Sequence, residues 1–222
     1  MRNPMLIAAC LLAGHLHAQS KLTVGQYAYI MGHETSYVSP VIQYQSSRHW
    51  YAEARYNYED MHTFSLYAGR TFSGDNTVSY TITPMLGGMA GKLQGGSLGL
   101  TASLNYKNIY CSTQSQYCLS ARDRTEDFFF SWSEAGYHAL KCLDAGLSLQ
   151  HTIYSEGNTL VEPGVFACYS FRRWSFPVYC FLPAHAPCFF VAGITYEWKY
   201  AGAKHGATGK PVVPNRGRRI AY

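Results

Sequence analysis

The stretch Trp50-Tyr51-Ala52-Glu53-Ala54-Arg55-Tyr56-Asn57-Tyr58 decides how this chain is read. At period two, Trp50, Ala52, Ala54, Tyr56 and Tyr58 share one face, and Glu53, Arg55 and Asn57 share the other. A helix would mingle these two sets around its axis. A strand keeps them apart, because successive side chains point to opposite sides of the sheet.

The same alternation recurs on both sides of this stretch. Val78, Tyr80 and Ile82 oppose Ser79, Thr81 and Thr83, while Leu98, Leu100, Ala102, Leu104 and Tyr106 oppose Thr101, Ser103 and Asn105. Leu143, Ala145, Leu147 and Leu149 oppose Asp144, Ser148 and Gln150, and Phe190, Ala192, Ile194, Tyr196 and Trp198 oppose Thr195 and Glu197. No amphipathic helix pattern holds for ten residues anywhere in 21–200. The pattern predicts twelve strands, at about 22–31, 36–46, 49–58, 62–72, 77–87, 97–106, 109–119, 127–137, 142–153, 164–171, 174–182 and 189–200. Segment 109–119 is polar on both faces, and without it the count falls to ten.

The connections fall into two alternating classes. One is very short: Ser47-Arg48, Gly74-Asp75-Asn76, Lys107-Asn108, 139–141 and Arg172-Arg173. The other is mostly longer and more polar: 32–35, 59–61, 88–96, 120–126, 155–163 and 183–187. Gly87-Gly88 and Gly95-Gly96 are read as a flexible loop, since no helix follows to make a phosphate cradle.

Composition narrows the class. The 222 residues are 47% hydrophobic, 15% aromatic and 14% charged, too apolar for disorder. The 20 glycines follow no period, which excludes collagen. Residues 1–18, MRNPMLIAACLLAGHLHA, read as a secretory signal peptide, with Arg2 before a short apolar run and a small-residue cleavage site at Ala18. Residues 201–222 hold Lys204, Lys210, Arg216, Arg218 and Arg219 without an acid, and read as a basic disordered tail. With both ends set aside, the formal charge of +5 disappears and the 19–200 body holds 12 cations against 13 acids. No basic face for nucleic acid is left.

Twelve alternating strands, most with the roughly 9–11 residues needed to span a membrane, and short turns opposite longer loops predict an all-β fold. It is a closed antiparallel up-and-down transmembrane β-barrel. In hydrocarbon a spanning sheet cannot leave an edge unpaired. With its signal peptide, aromatic-rich strand ends and final Phe190–Tyr200 strand, the chain resembles bacterial outer-membrane β-barrel proteins. The resemblance implies an outer-membrane location, and the even strand number puts both termini in the periplasm. It also implies contact with outer-membrane lipid, and assembly machinery that reads a terminal aromatic, here Trp198 or Tyr200. A soluble secreted β-sandwich binding module is the alternative fold.

Glu53, Arg55, Asn57, Thr81, Thr101, Ser103, Asp144, Gln150 and Glu197 are the expected lumen-facing polar residues. They make either a narrow path for small solutes or a hydrogen-bonded plug with a structural role. Of six cysteines beyond the signal, Cys180 and Cys188 flank the last loop and are a possible disulfide. No zinc-like cysteine spacing and no H-E-x-x-H occurs, so neither a cofactor nor a metal is expected. An outer-membrane lipid-modifying enzyme is the alternative function.

Overall fold

Segment 109–119, polar on both faces, forms a full strand, and its pairing fixes the strand number. In the computed structural model, which describes residues 20–32, 35–184 and 187–200, this strand is β8 (Ile109–Ser120), hydrogen-bonded along its length to both neighbours. The others are β1 (Ser20–Ile30), β2 (Tyr37–Gln45), β3 (Trp50–Tyr56), β4 (Thr63–Arg70), β5 (Phe72–Asp75), β6 (Ser79–Gly91) and β7 (Gly95–Tyr106). There follow β9 (Phe128–Leu140), β10 (Leu143–Tyr154), β11 (Thr159–Phe171), β12 (Trp174–Phe181) and β13 (Phe189–Tyr200). β4 and β5 both pair with β6 and form one wall strand interrupted at Thr71, whose N–H goes instead to the His49 carbonyl at 2.8 Å. The sheet therefore closes as an antiparallel barrel of 12 strands, sealed where β1 meets β13. It is one sheet closed on itself, not the two stacked sheets of a sandwich. The signal peptide and the basic tail lie outside the described residues.

Alternation sorts the two faces as the sequence suggests. Leu66, Leu86, Leu98 and Leu147 point outward and are exposed, while Glu53, Arg55, Ser103 and Gln150 point inward and are buried. At the end of the barrel with short turns, outward Trp50, Tyr106 and Phe171 lie under Arg70, Lys107 and Arg172, at 5.7, 5.1 and 5.2 Å from cation to ring centre. A ring with a cation folded over it suits the boundary between an apolar belt and water.

Several strand boundaries differ from the sequence reading, most of all in two places. The glycine-rich stretch is ladder rather than loop: Gly87 pairs with Ser97, Gly88 with Gly96 and Met89 with Gly95. Gly87 makes room for a neighbour, since a Cβ on it would lie 2.4 Å from the Tyr67 ring. The predicted 155–163 loop shrinks to 155–158, because β11 begins at Thr159 and pairs with β10 up to Ile153.

Candidate functional site

The lumen is the site, and its two halves are built differently. Toward the longer loops it is filled. Glu53 and Arg55, two residues apart on β3, both point inward. Arg55 grips Glu53 through two hydrogen bonds, Nε to Oε1 at 2.9 Å and Nη2 to Oε2 at 3.1 Å. Its Nη1 donates to Glu59 at 3.1 Å and, from the far side of the lumen, to Gln116 Oε1 at 2.6 Å. The guanidinium sits between the Tyr58 and Tyr67 rings, at 4.5 and 4.4 Å. Arg55 is 1% exposed, and the Glu59 side chain is fully buried. Two carboxylates face one guanidinium, so one negative charge must be met otherwise. Tyr51, Gln43, Tyr67 and Ser65 donate to these carboxylates. Such hydroxyl and amide donors are what keep buried charge tolerable.

The second filling is aromatic. Tyr110 on β8 is in register with Gly136, Gly136 with Gly146, and Gly146 with Phe166. The two glycines leave floor space for the rings, because a Cβ on Gly136 would lie 2.3 Å from the Tyr110 ring. Beyond Phe166 the same row runs through Tyr179, Val191 and Tyr29 to Tyr37, where Tyr29 and Tyr37 stack at 4.6 Å. Trp132 crosses toward Tyr27 at 6.3 Å, and its indole N–H donates to Ser148 at 2.9 Å.

Toward the short turns the lumen opens into a cup of about 310 Å³, lined by polar and aromatic side chains. Thr23, Gln43, Thr101, Glu134, Ser170 and Thr195 line its walls, and Tyr27, Tyr58 and Trp132 lie at its inner end. Lys199, Arg172 and Arg173 lie at its mouth. Glu197 accepts from Lys21 at 2.6 Å and from Lys199 at 3.1 Å. Tyr179 donates to Glu134 at 2.8 Å. The hydroxyls of Thr101 and Ser103 are buried without a protein partner.

The nine polar residues expected in the lumen divide clearly. Glu53 and Arg55 hold the ionic filling, Thr101 and Glu197 line the cup, and Asp144 accepts from His138 Nδ1–H at 2.7 Å. Ser103 and Gln150 are buried on the inward face, and Thr81 is half-buried there. Asn57 is a correction. β3 stops at Tyr56, and Asn57 takes φ 55°, so the chain turns inward and the alternation ends. Its side chain instead caps the rim, donating to the Val38 carbonyl at 3.1 Å and accepting from the His62 N–H at 2.7 Å. Tyr58, grouped with the outward face in the sequence, consequently lies inside and donates to Gln114 at 3.1 Å. Burial pushes its phenol well above the ordinary range, with Arg55 opposing, so it remains a donor at neutral pH.

Trp198 and Tyr200 lie on the last strand, with the Tyr200 ring exposed. Cys180 and Cys188 are not bonded to each other: Cys180 pairs in register with Phe190, which offsets Cys188 by two positions. Among the described residues, no group of three or more His, Cys, Asp or Glu could hold a metal ion.

The sequence reading missed Glu59, Gln116 and the aromatic row. A signal for the last was present: Trp174–Phe181 is apolar on both faces, and a barrel strand of that kind has a dry lumen beside it.

No protein-family model matches the chain, and no curated protein matches it. Among solved structures, the KdgM porin in complex with disordered oligogalacturonate is similar at a TM-score of 0.61 and 11% identity, covering 78% of this chain and 98% of that one. A second KdgM porin structure gives a TM-score of 0.57 and 10% identity, again over 78% and 98%. The fold is that of outer-membrane β-barrels. At such identities the likeness reaches no further than the backbone.

Proposed function

We propose that this chain is a narrow, channel-like barrel of the bacterial outer membrane, closed at mid-depth in the state described. The polar cup carries this reading. It is a cavity of about 310 Å³ on the turn side of the lumen, with Tyr27, Tyr58 and Trp132 in its lining. Thr101 supports a wet cup, since a buried hydroxyl without a protein partner is ordinarily met by water. The outward Leu, Val and aromatic side chains face lipid, the short turns and both termini face the periplasm, and Trp198 and Tyr200 serve the assembly machinery. The barrel acts without a cofactor and without catalysis.

Conductance in planar bilayers tests the proposal. The mature protein should pass little current, and the double variant Tyr27→Ala, Trp132→Ala should pass several-fold more. No change in the folded, inserted double variant would overturn the channel reading. It would leave a structural barrel, which the ionic filling around Arg55 favours. Different mobility of boiled and unboiled protein on SDS gels checks closure separately, and protease access to a C-terminal tag in intact cells checks the orientation.

A further inference from the structure

The outward face of β8 and β9 breaks the apolar belt. Thr113 and Ser115 on β8 lie in register with Ser133 and Ser131 on β9, and the four side chains point away from the lumen. Their hydroxyls bond to one another, Thr113 to Ser133 at 2.9 Å, Ser115 to Ser131 at 3.1 Å and Thr113 to Ser115 at 3.2 Å. Outward His151 on β10 is in register with Ser131. On other strands the outward positions carry Leu66, Leu86, Leu98 and Val178, all exposed. Around the hydroxyls the wall is hollowed by small side chains, Ala102, Cys111 and Ala135, into a groove of about 600 Å³ with Leu104 on one side and Leu147 and Leu149 on the other.

Each hydroxyl brings one donor and two acceptor sites. The donors can all be spent within the cluster, and half of the acceptor sites are then left over. Acyl chains donate nothing, and a polar group facing hydrocarbon is expensive and seldom idle. The complement must supply N–H or O–H donors, come close to small side chains, and offer apolar knobs for the groove. This same wall holds all three: His151, the small-residue hollow, and Leu147 with Leu149. A face that carries both halves of its own complement fits a two-fold pairing, in which the donors and knobs of each copy meet the acceptors and hollow of the other.

We infer that the barrel pairs with a second copy of itself through the outer wall of β8–β10, with the Thr113, Ser115, Ser131 and Ser133 hydroxyls at the centre of the interface. The inference rests on the membrane reading above and is independent of conduction.

The test uses the mature chain inserted in bilayers, with dimerisation followed by single-molecule photobleaching over a range of protein-to-lipid ratios. Wild type should dimerise. The variants Thr113→Val and Ser131→Leu, Ser133→Leu should each weaken the pair about tenfold or more, whereas Ala192→Leu on a distant wall should leave it unchanged. A variant whose only cysteine is Cys111, exposed on this wall, should give a covalent dimer with a short bifunctional maleimide. A monomer at every ratio would overturn the inference, and so would a dimer indifferent to the serine and threonine changes. Heat-modifiable mobility, checked for every variant, separates failure to pair from failure to form the barrel.

Discussion

The two halves of the lumen show two uses of the same wall. Toward the loops, the inward positions are spent largely on filling: ions bonded to ions around Arg55, and the loop-side end of the aromatic row at Tyr29 and Tyr37, a row that slants across the wall to Tyr110 beside the short turn before β8. Toward the turns, apart from Tyr110, most inward positions are Thr, Ser, Gln and a few charges, too small to meet across the barrel, and a cup remains. Strand geometry is the same in both halves. Side-chain size and donor count alone decide which half is closed, so a polar inward face does not by itself make a pore.

The sharpest way to break this contrast is to remove one charge from each half. Arg55→Ala leaves Glu53 and Glu59 buried without their cation and should cost about 3–5 kcal/mol in urea unfolding followed in detergent. Glu197→Ala, in the solvated cup, should cost about 1 kcal/mol or less. Equal losses would mean that the cup is as dry as the plug. Next in size is the aromatic row. Gly136→Ala drives a Cβ against the Tyr110 ring and should cost about 1–3 kcal/mol, as overpacking does. Adding Tyr110→Ala should cancel most of the clash, a coupling that a double-mutant cycle would read directly. A smaller effect is expected at the mouth. Arg173→Glu should leave the unfolding midpoint within about 0.5 kcal/mol of wild type. In the Tyr27→Ala, Trp132→Ala background it should shift reversal potentials toward cation preference. Least of all, Glu197→Gln should change stability only at low ionic strength, because its partners are near water and salt screens them.

Much of this was legible beforehand. Glu53 and Arg55 face inward because the Trp50–Tyr56 alternation puts both on the polar face; the strand number was narrowed to twelve or ten, and the pairing of β8 decides it. What was hidden depended on single torsions or on contacts far apart in sequence. Asn57 with its positive φ swings Tyr58 and Glu59 into the lumen, and no periodicity announces such a turn. Gln116 looked like one more polar residue in an ambiguous segment; its role exists only because β3 and β8 face each other across the barrel. The glycines near 87–96 read as flexibility; they are ladder residues, and Gly87 clears space under the Tyr67 ring. Cys180 and Cys188 seemed opposed by loop length, and the register sets them apart.

The seam of the barrel carries a consequence for timing. It is formed by the first and last strands, Ser20 against Tyr200, 180 positions apart in the chain. Until the final strand has been made, every shorter chain has two open edges, each a row of unpaired amides able to join the wrong neighbour. Closure therefore cannot proceed alongside synthesis, and the longest-range contact in the molecule is also its last. The chain must be delivered whole, with its edges guarded, before it can become a barrel at all.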